Sequence, residues 1–264
     1  MNGEAVHFVD VDNVALSYGG PDEPPAVDGL TLKVDRGEFV AVVGPSGCGK
    51  STLMRLATGL RFPDRGSVTV DGREVAGPVK IAGMAFQNPV MLPWRTVLDN
   101  VLLPLEIVQP HRARLRRERA AYVERAERLL ASVGLEGAGE KFPWELSGGM
   151  QQRASLCRAL IHEPALLMLD EPFSALDAFT KEELWCVMRD LHDERGFTAI
   201  LVTHELREAA FLADRVVVMS ARPGRIIAER QIAFPRPRDL EITYAQDFID
   251  TVHELRGHIK AARA

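Results

Sequence analysis

The sequence has little of what would tie a chain to an oxidising compartment, to a lipid bilayer or to nucleic acid. Cysteine is scarce. Cys48, Cys157 and Cys186 are odd in number, far apart, and form no Cys-x-x-Cys pair. A disulfide framework or a structural zinc site is therefore not expected, and a reducing compartment fits best. Long apolar runs are missing too. Ala165–Leu169 and Val216–Met219 fall far short of the ~20 residues that a membrane-spanning helix needs. Work at a membrane would require a partner that holds the chain there. The opening residues, MNGEAVH, show no basic region followed by an apolar core, so no secretory signal is expected. There is no excess of positive charge: the net charge is -5, and non-specific nucleic-acid binders usually carry a basic stripe. The most basic stretch, Arg112–Arg128, interleaves Glu118, Glu124 and Glu127 among its arginines. It reads as a solvated helix face. Nucleic-acid contact is the competing reading, and the stacking aromatics that such contact uses are nearly absent from the stretch.

What is present is a globular composition. With 264 residues, 46% hydrophobic and 26% charged, the chain can bury a sizeable core in one or two domains. Residues 6–18 and 27–35 alternate apolar and polar side chains and predict strands, with a Gly/Pro-rich loop at 19–25 between them. Phe39–Val43 is a continuous apolar run ending in glycine, which predicts a buried strand feeding a turn. Ser51–Leu60 then predicts a helix with Leu53, Leu56 and Leu60 on one face. Residues 67–86 predict short strands punctuated by Asp71-Gly72 and Gly77-Pro78. Residues 96–160 carry helical periodicity, over Val97–Val108, Arg114–Val133 and Gly148–His162, and read as an inserted helical subdomain. Ala165–Leu169, Ala199–Thr203 and Arg215–Met219 are apolar runs separated by helical sequence. Strand alternating with helix predicts a parallel sheet with crossover helices. Residues 231–243 read as a connector and Ala245–Ala261 as a terminal helix.

Three strings carry chemistry. Gly44-Pro45-Ser46-Gly47-Cys48-Gly49-Lys50-Ser51-Thr52 fits the pattern G-x-x-x-x-G-K-[ST], between a predicted strand and a predicted helix. A chance match is expected in on the order of one window in 10⁴ to 10⁵ at average composition. Glycines let the backbone curl so that successive N–H groups face phosphate oxygens, and the helix N-terminus adds its positive dipole end. Lys50 supplies a mobile charge, and the Ser51 hydroxyl suits Mg²⁺. Leu166–Leu169 leads into Asp170-Glu171. Asp170 sits where a carboxylate can hold a water of a Mg²⁺ ion. Glu171 can act as general base or orient an attacking water. By itself the pair could equally be an acidic turn after a strand. In Leu146-Ser147-Gly148-Gly149-Met150-Gln151-Gln152-Arg153, Ser147 can cap the following helix, and the glycines bare backbone N–H groups at its positive end, a second anion site. As a bare Ser-Gly-Gly, this would be an ordinary helix cap.

Together these strings resemble the nucleotide-binding subunit of ATP-binding cassette (ABC) transporters. The resemblance covers roughly residues 6–230 and runs in family order: Gly44–Thr52, Gln87 after Met84-Ala85-Phe86, Leu146–Gln152, Asp170-Glu171-Pro172, Ser174-Ala175-Leu176-Asp177 and Thr203-His204-Glu205, with Tyr18 ahead of the phosphate loop. Met150 departs from the family, where many members carry Gln. The resemblance implies an α/β fold: a P-loop NTPase core with a mainly parallel sheet, an N-terminal antiparallel β subdomain and an inserted helical subdomain. It implies one ABC ATPase domain over 1–264, with the core and β subdomain at 6–87 and 163–230, the helical subdomain at 88–162, and a connector and helix at 231–264. It implies that Tyr18 stacks on adenine, that residues 44–52 hold the phosphates, and that Ser51, Gln87 and Asp170 serve Mg²⁺. Glu171 would polarise the attacking water and His204 would contact the γ-phosphate. Ser147 and Gly149, with Asp177 at the same interface, would reach the nucleotide of a second copy, so that two chains clamp ATP head to tail. A lone His204 would otherwise read as a core histidine, and a lone Tyr18 as a strand-end aromatic.

The expected function is ATP hydrolysis by an importer subunit that drives a membrane permease from its cytoplasmic face, with a solute-binding protein as indirect partner and no nucleic acid. The alternatives are a soluble cassette ATPase acting on DNA, ribosomes or iron–sulfur assembly, or a phosphate-loop kinase or GTPase. The last class has no use for the string at Ser147 or for His204. A DNA-repair cassette would need a long coiled coil or zinc-binding cysteines, and a translation-type member usually carries two cassettes. Asn88–Trp94 is unusually apolar for a loop and reads as a docking surface for a permease, or as a loop folded over the helical subdomain. The strings FQNPVMLPWRTVLDNV, LSGGMQQR and VMSARPGRI resemble the importer branch for nitrate, sulfonate, taurine and related small solutes, with another importer branch, such as that for polyamines or sugars, as the runner-up.

Overall fold

A computed structural model describes residues 7–19 and 23–262. The first residue of the strand expected at 6–18 and the middle of the loop after it lie outside the described residues. In chain order the strands and α-helices are β1 (Val9–Leu16), β2 (Val27–Val34), β3 (Phe39–Val43), α1 (Lys50–Ala57), β4 (Arg65–Val70), β5 (Arg73–Glu74), β6 (Ala82–Ala85), α2 (Val97–Leu102), α3 (His111–Arg114), α4 (Arg119–Ser132), α5 (Gly148–Leu160), β7 (Leu166–Asp170), α6 (Ala178–Arg195), β8 (Thr198–Val202), α7 (Leu206–Leu212), β9 (Arg215–Met219), β10 (Ile226–Gln231) and α8 (Gln246–Ala261). The chain divides into two compact units, Met1–Val79 with His192–Ala264, and Lys80–Leu191.

The first unit holds two sheets. An antiparallel sheet in the order β2-β1-β4-β5 forms the N-terminal β layer. Its strands alternate because one face is buried: Val9, Val11, Val14 and Leu16 point inward from β1. In the second sheet β3 lies between β8 and β9, parallel to both. All five residues of each of these strands are buried, which is why they read as continuous apolar runs rather than alternating ones. β10 adds an antiparallel edge beside β9. That strand was not expected from the sequence, where 226–231 mixes Ile with Glu, Arg and Gln. In the structure its exposure alternates residue by residue, as a one-sided edge strand's does.

The second unit pairs β6 with β7 in parallel, Ala85 opposite Leu169, and holds α2, α3, α4 and α5. Two helices are shorter than expected. The run from Val97 stays α-helical only to Leu102 and tightens to a 3-10 turn at Leu103–Glu106, where Pro104 sits. The run from Arg114 breaks, and α4 starts at Arg119.

Candidate nucleotide site

In the first unit β3 delivers the chain into Gly44–Lys50, and backbone demands explain the glycines. A Cβ on Gly44 would lie 2.7 Å from the Met219 carbonyl oxygen and 2.9 Å from Cys48 Sγ. Gly47 and Gly49 take φ of 77° and 97°, which side-chain-bearing residues rarely adopt. Gly49 is also the N-cap of α1, and it offers no side chain to bond the helix's first amides. Lys50 is buried, and its Nζ donates to the carbonyls of Gly44 (2.9 Å) and Pro45 (3.0 Å), with Cys48 Sγ at 3.7 Å. The ammonium thus sits inside the curl of its own loop. Ser46 and Ser51 are exposed, and Thr52 is buried.

Tyr18 is held beside α1. Its hydroxyl lies 3.3 Å from Thr52 Oγ1 and accepts from Arg55 Nη1 at 3.3 Å, while the Arg61 guanidinium is 5.7 Å from the ring centroid. The ring is half exposed, as a stacking platform must be. His204 reaches the same edge of the sheet as the phosphate loop. Val42 pairs with Val202, and Thr203 N donates to Val42 O, so His204 and Gly44 each lie two residues past a paired position. His204 is exposed.

In the second unit the parallel register does the corresponding work. Gln87 and Glu171 each follow the Ala85–Leu169 pair by two residues, and Gln87 Nε2 donates to Glu171 Oε2 at 3.2 Å. Glu171 takes φ of 46°, in the left-handed region. That backbone is costly for a side-chain-bearing residue and recurs at functional sites. Ser174 secures the turn, its N and Oγ both donating to the Glu171 carbonyl, at 3.2 and 2.9 Å. Asp170 ends β7.

Ser147 is the N-cap of α5, its Oγ accepting from Met150 N at 3.3 Å. The departure at Met150 therefore leaves its backbone role intact. A Cβ on Gly149 would come within 2.9 Å of Leu176 Cδ2, so this glycine permits α5 to approach the segment before Asp177. Asp177 accepts from Thr180 N (3.1 Å) and Thr180 Oγ1 (2.7 Å), which holds its carboxyl below the usual carboxylate range. It caps the start of α6 besides lying where an interface role was expected. A residue the sequence did not single out joins these parts. Gln152 is fully buried, and its Nε2 donates to the Phe86 carbonyl at 3.1 Å, tying α5 to the residue before Gln87. Nothing in the string Met150-Gln151-Gln152 distinguishes a buried Gln from an exposed one.

The donors expected for Mg²⁺ are a hydroxyl, an amide oxygen and a carboxylate, on Ser51, Gln87 and Asp170. That all-oxygen set suits a hard cation that keeps several waters and binds phosphate. No cluster of three or more His, Cys, Asp or Glu side chains arranged for a metal occurs among the described residues.

Residues 27–174 match the family described as "ABC transporter". The chain is 44% identical to a taurine import ATP-binding protein of Chromobacterium violaceum, over 85% of this chain and 83% of that protein. It is 48% identical to an aliphatic sulfonates import ATP-binding protein of Burkholderia cenocepacia, over 80% and 74%. Among solved structures, a dimeric ATP-binding cassette in a post-hydrolysis state, bound to ADP and Pi, superimposes with a TM-score of 0.74 at 30% identity, covering 86% of this chain and all of that one. A buried lysine curled into a glycine loop, a glutamate on left-handed backbone beside Gln87, and a Ser147-capped helix are thus set in a cassette fold, and this chain belongs to the ABC transporter family.

Proposed function

We propose that this chain is the ATP-hydrolysing subunit of an importer, working as a head-to-tail pair with a second copy and driving membrane permease subunits from the cytoplasmic face of the membrane. Phosphoryl transfer to water leaves a protein little to do but position groups and stabilise charge. Lys50 and the amides of 44–52 take the phosphates, and Tyr18 takes the adenine. Ser51, Gln87 and Asp170 would hold Mg²⁺, which would supply positive charge against the phosphates. Glu171 orients and polarises the attacking water, with Gln87 bonded to its carboxylate. His204 reaches the γ-phosphate. Ser147 and Gly149 serve the nucleotide of the second copy, and Asp177 lies at that interface.

The observation that carries the importer reading is the segment after Gln87. Val90 is 67% exposed and Trp94 72% exposed, a large apolar display for a loop. Yet the loop is firmly built. Asn100 is fully buried, accepts from Leu92 N at 2.7 Å, and donates to the carbonyls of Leu92, Arg95 and Thr96. Arg158 Nη1 donates to the Val90 carbonyl at 2.6 Å. An exposed tryptophan on a rigid mount suits a partner that is itself apolar. Among the described residues no helix is long and apolar enough to cross a membrane, so that partner supplies the membrane path. Relatives named for taurine and aliphatic sulfonate import favour small solutes of that kind as cargo, read by a separate solute-binding protein. Trp94→Ala should abolish solute uptake in the assembled transporter while ATP affinity stays unchanged. Uptake and assembly at the unaltered level would remove the docking role. Thermal-shift screening of the neighbouring solute-binding protein against taurine and alkanesulfonates identifies the cargo, and stabilisation by an unrelated solute alone would overturn that assignment.

A further inference from the structure

The segment after β10 closes on the short helix that follows His204. α7 has only seven residues, Leu206–Leu212. A helix this short does not hold itself, and its last carbonyls have no partners within the helix. Here they are taken by guanidinium groups from the C-terminal segment. Arg238 is 1% exposed; its Nη1 donates to the carbonyls of Phe211 (2.8 Å), Ala213 (2.7 Å) and Ala210 (3.4 Å). The same side chain is bound to its own segment, Nε to Phe234 O and Nη2 to Ile232 O. Arg236 Nη2 donates to Leu212 O at 2.8 Å, and the same guanidinium pairs with Asp214 and Asp193. Two positive charges therefore sit at the negative end of α7, where they are favourable. At the other end, Arg207 Nη2 donates to Thr243 Oγ1 at 3.2 Å.

We propose that residues 231–244 form a clamp that fixes α7 at both ends, and that Arg238 is thereby a positioning residue for His204. His204 lies one residue ahead of the N-cap, Glu205. On its upstream side it is tied to β3 through Thr203, while Glu205 N donates to Thr203 Oγ1 at 3.0 Å. Downstream, its place is set by α7, and α7's by the clamp. Arg238 acts through the helix, whose last carbonyls it holds. The inference rests on the reading of His204 as the γ-phosphate contact. Misplacing a reacting group by about 1 Å can cost on the order of 100-fold, so a loosened clamp should lower turnover and spare ATP affinity, which the phosphate loop and Tyr18 govern.

The test uses the full chain and measures kcat, KM for ATP, ATP affinity and melting temperature. His204→Ala comes first: a loss of turnover supports the reading of His204, and unchanged turnover overturns that reading and the clamp's purpose with it. Arg238→Lys keeps charge but loses the fork of donors. It is expected to lower kcat by about tenfold with ATP affinity changed by less than about twofold, and to add nothing when combined with His204→Ala. A full additional loss in the His204→Ala background, or unchanged kcat where His204→Ala is impaired, overturns the clamp alone. If Arg238→Lys does not fold, Thr243→Val carries the test, since it removes the bond from Arg207 together with the hydroxyl's local bond to the Leu240 carbonyl and leaves Arg238 in place. It should reproduce the kcat loss, smaller in size and again absent in the His204→Ala background; unchanged kcat would overturn the proposal.

Discussion

At the scale of single residues, the phosphate loop shows a difference between types of glycine. Gly47 needs its freedom for backbone alone, since a Cβ there meets nothing within 4 Å. Gly49 needs it twice: φ is 97°, and a Cβ would lie 2.6 Å from Val27 Cγ1 and 3.0 Å from Ala26 O. Gly49→Ala is therefore expected to weaken ATP binding roughly tenfold or more, from a backbone penalty of about 1–2 kcal/mol with the steric clash added. Titration with a fluorescent ATP analogue measures it, and an affinity equal to that of the unaltered chain would contradict the loop geometry. The cysteines give a second prediction. Burial pushes the Cys157 thiol up to about 12, so it is not a thiolate at neutral pH. It should resist alkylation in the native chain and react once the chain is unfolded, as mass spectrometry of peptides would show; fast native labelling would contradict the burial. The pattern of the loop was legible in the sequence because its nine residues are contiguous. The left-handed backbone at Glu171 and its bond to Gln87 were not, since they follow from the register of β6 on β7 rather than from any local string.

Elements were legible where a period repeats and less so where a tertiary contact ends them. β3 and β9 occupy the spans their apolar runs predict. α1 stops at Ala57, short of the expected Leu60. The reason lies outside the helix: at Gly59, φ is 72° and a Cβ would fall 2.0 Å from the Gly77 carbonyl, so the chain must turn there. Leu60 then leaves the apolar face and is exposed. β10 escaped notice because half of an edge strand faces solvent and carries charge. The end of α6 yields a pH prediction. His192 is buried between the rings of Phe39 and Phe197, with Nε2 against the Gly37 carbonyl. Burial first, and Arg236 second, lower its pKa; burial lowers that of His162 as well. The unfolded chain therefore takes up protons near pH 6.5 that the folded chain refuses, and stability is full above that pH and falls as the pH drops below it. The melting temperature should be lower at pH 5.5 than at pH 7.5, with the difference reduced in His192→Gln. An unchanged difference would remove His192 from the effect.

At the scale of the whole molecule, the residues proposed to serve nucleotide fall into two groups. The phosphate loop, Tyr18 and His204 belong to one unit, and Gln87, Asp170, Glu171, Ser147 and Gly149 to the other. In the proposed assembly, Ser147 and Gly149 address the nucleotide held by a second copy, so that hydrolysis waits on dimer closure and closure is what the permease reads. The exposed Trp94 belongs to the same scale, as the docking point of that proposed assembly. Sequence motifs in family order are where that proposal begins. The ties that hold its parts rigid, Gln152 to Phe86 and Arg238 to α7, were not legible, because a buried polar side chain looks the same in sequence as an exposed one. The central claim is that ATP joins two chains and that Glu171 then discharges it. Light scattering of the Glu171→Gln variant, with and without Mg-ATP, tests it most directly. The account predicts a monomer without nucleotide and a stable dimer with Mg-ATP, its ATP unhydrolysed; a monomer under both conditions at high concentration, or turnover at the unaltered rate, would contradict it.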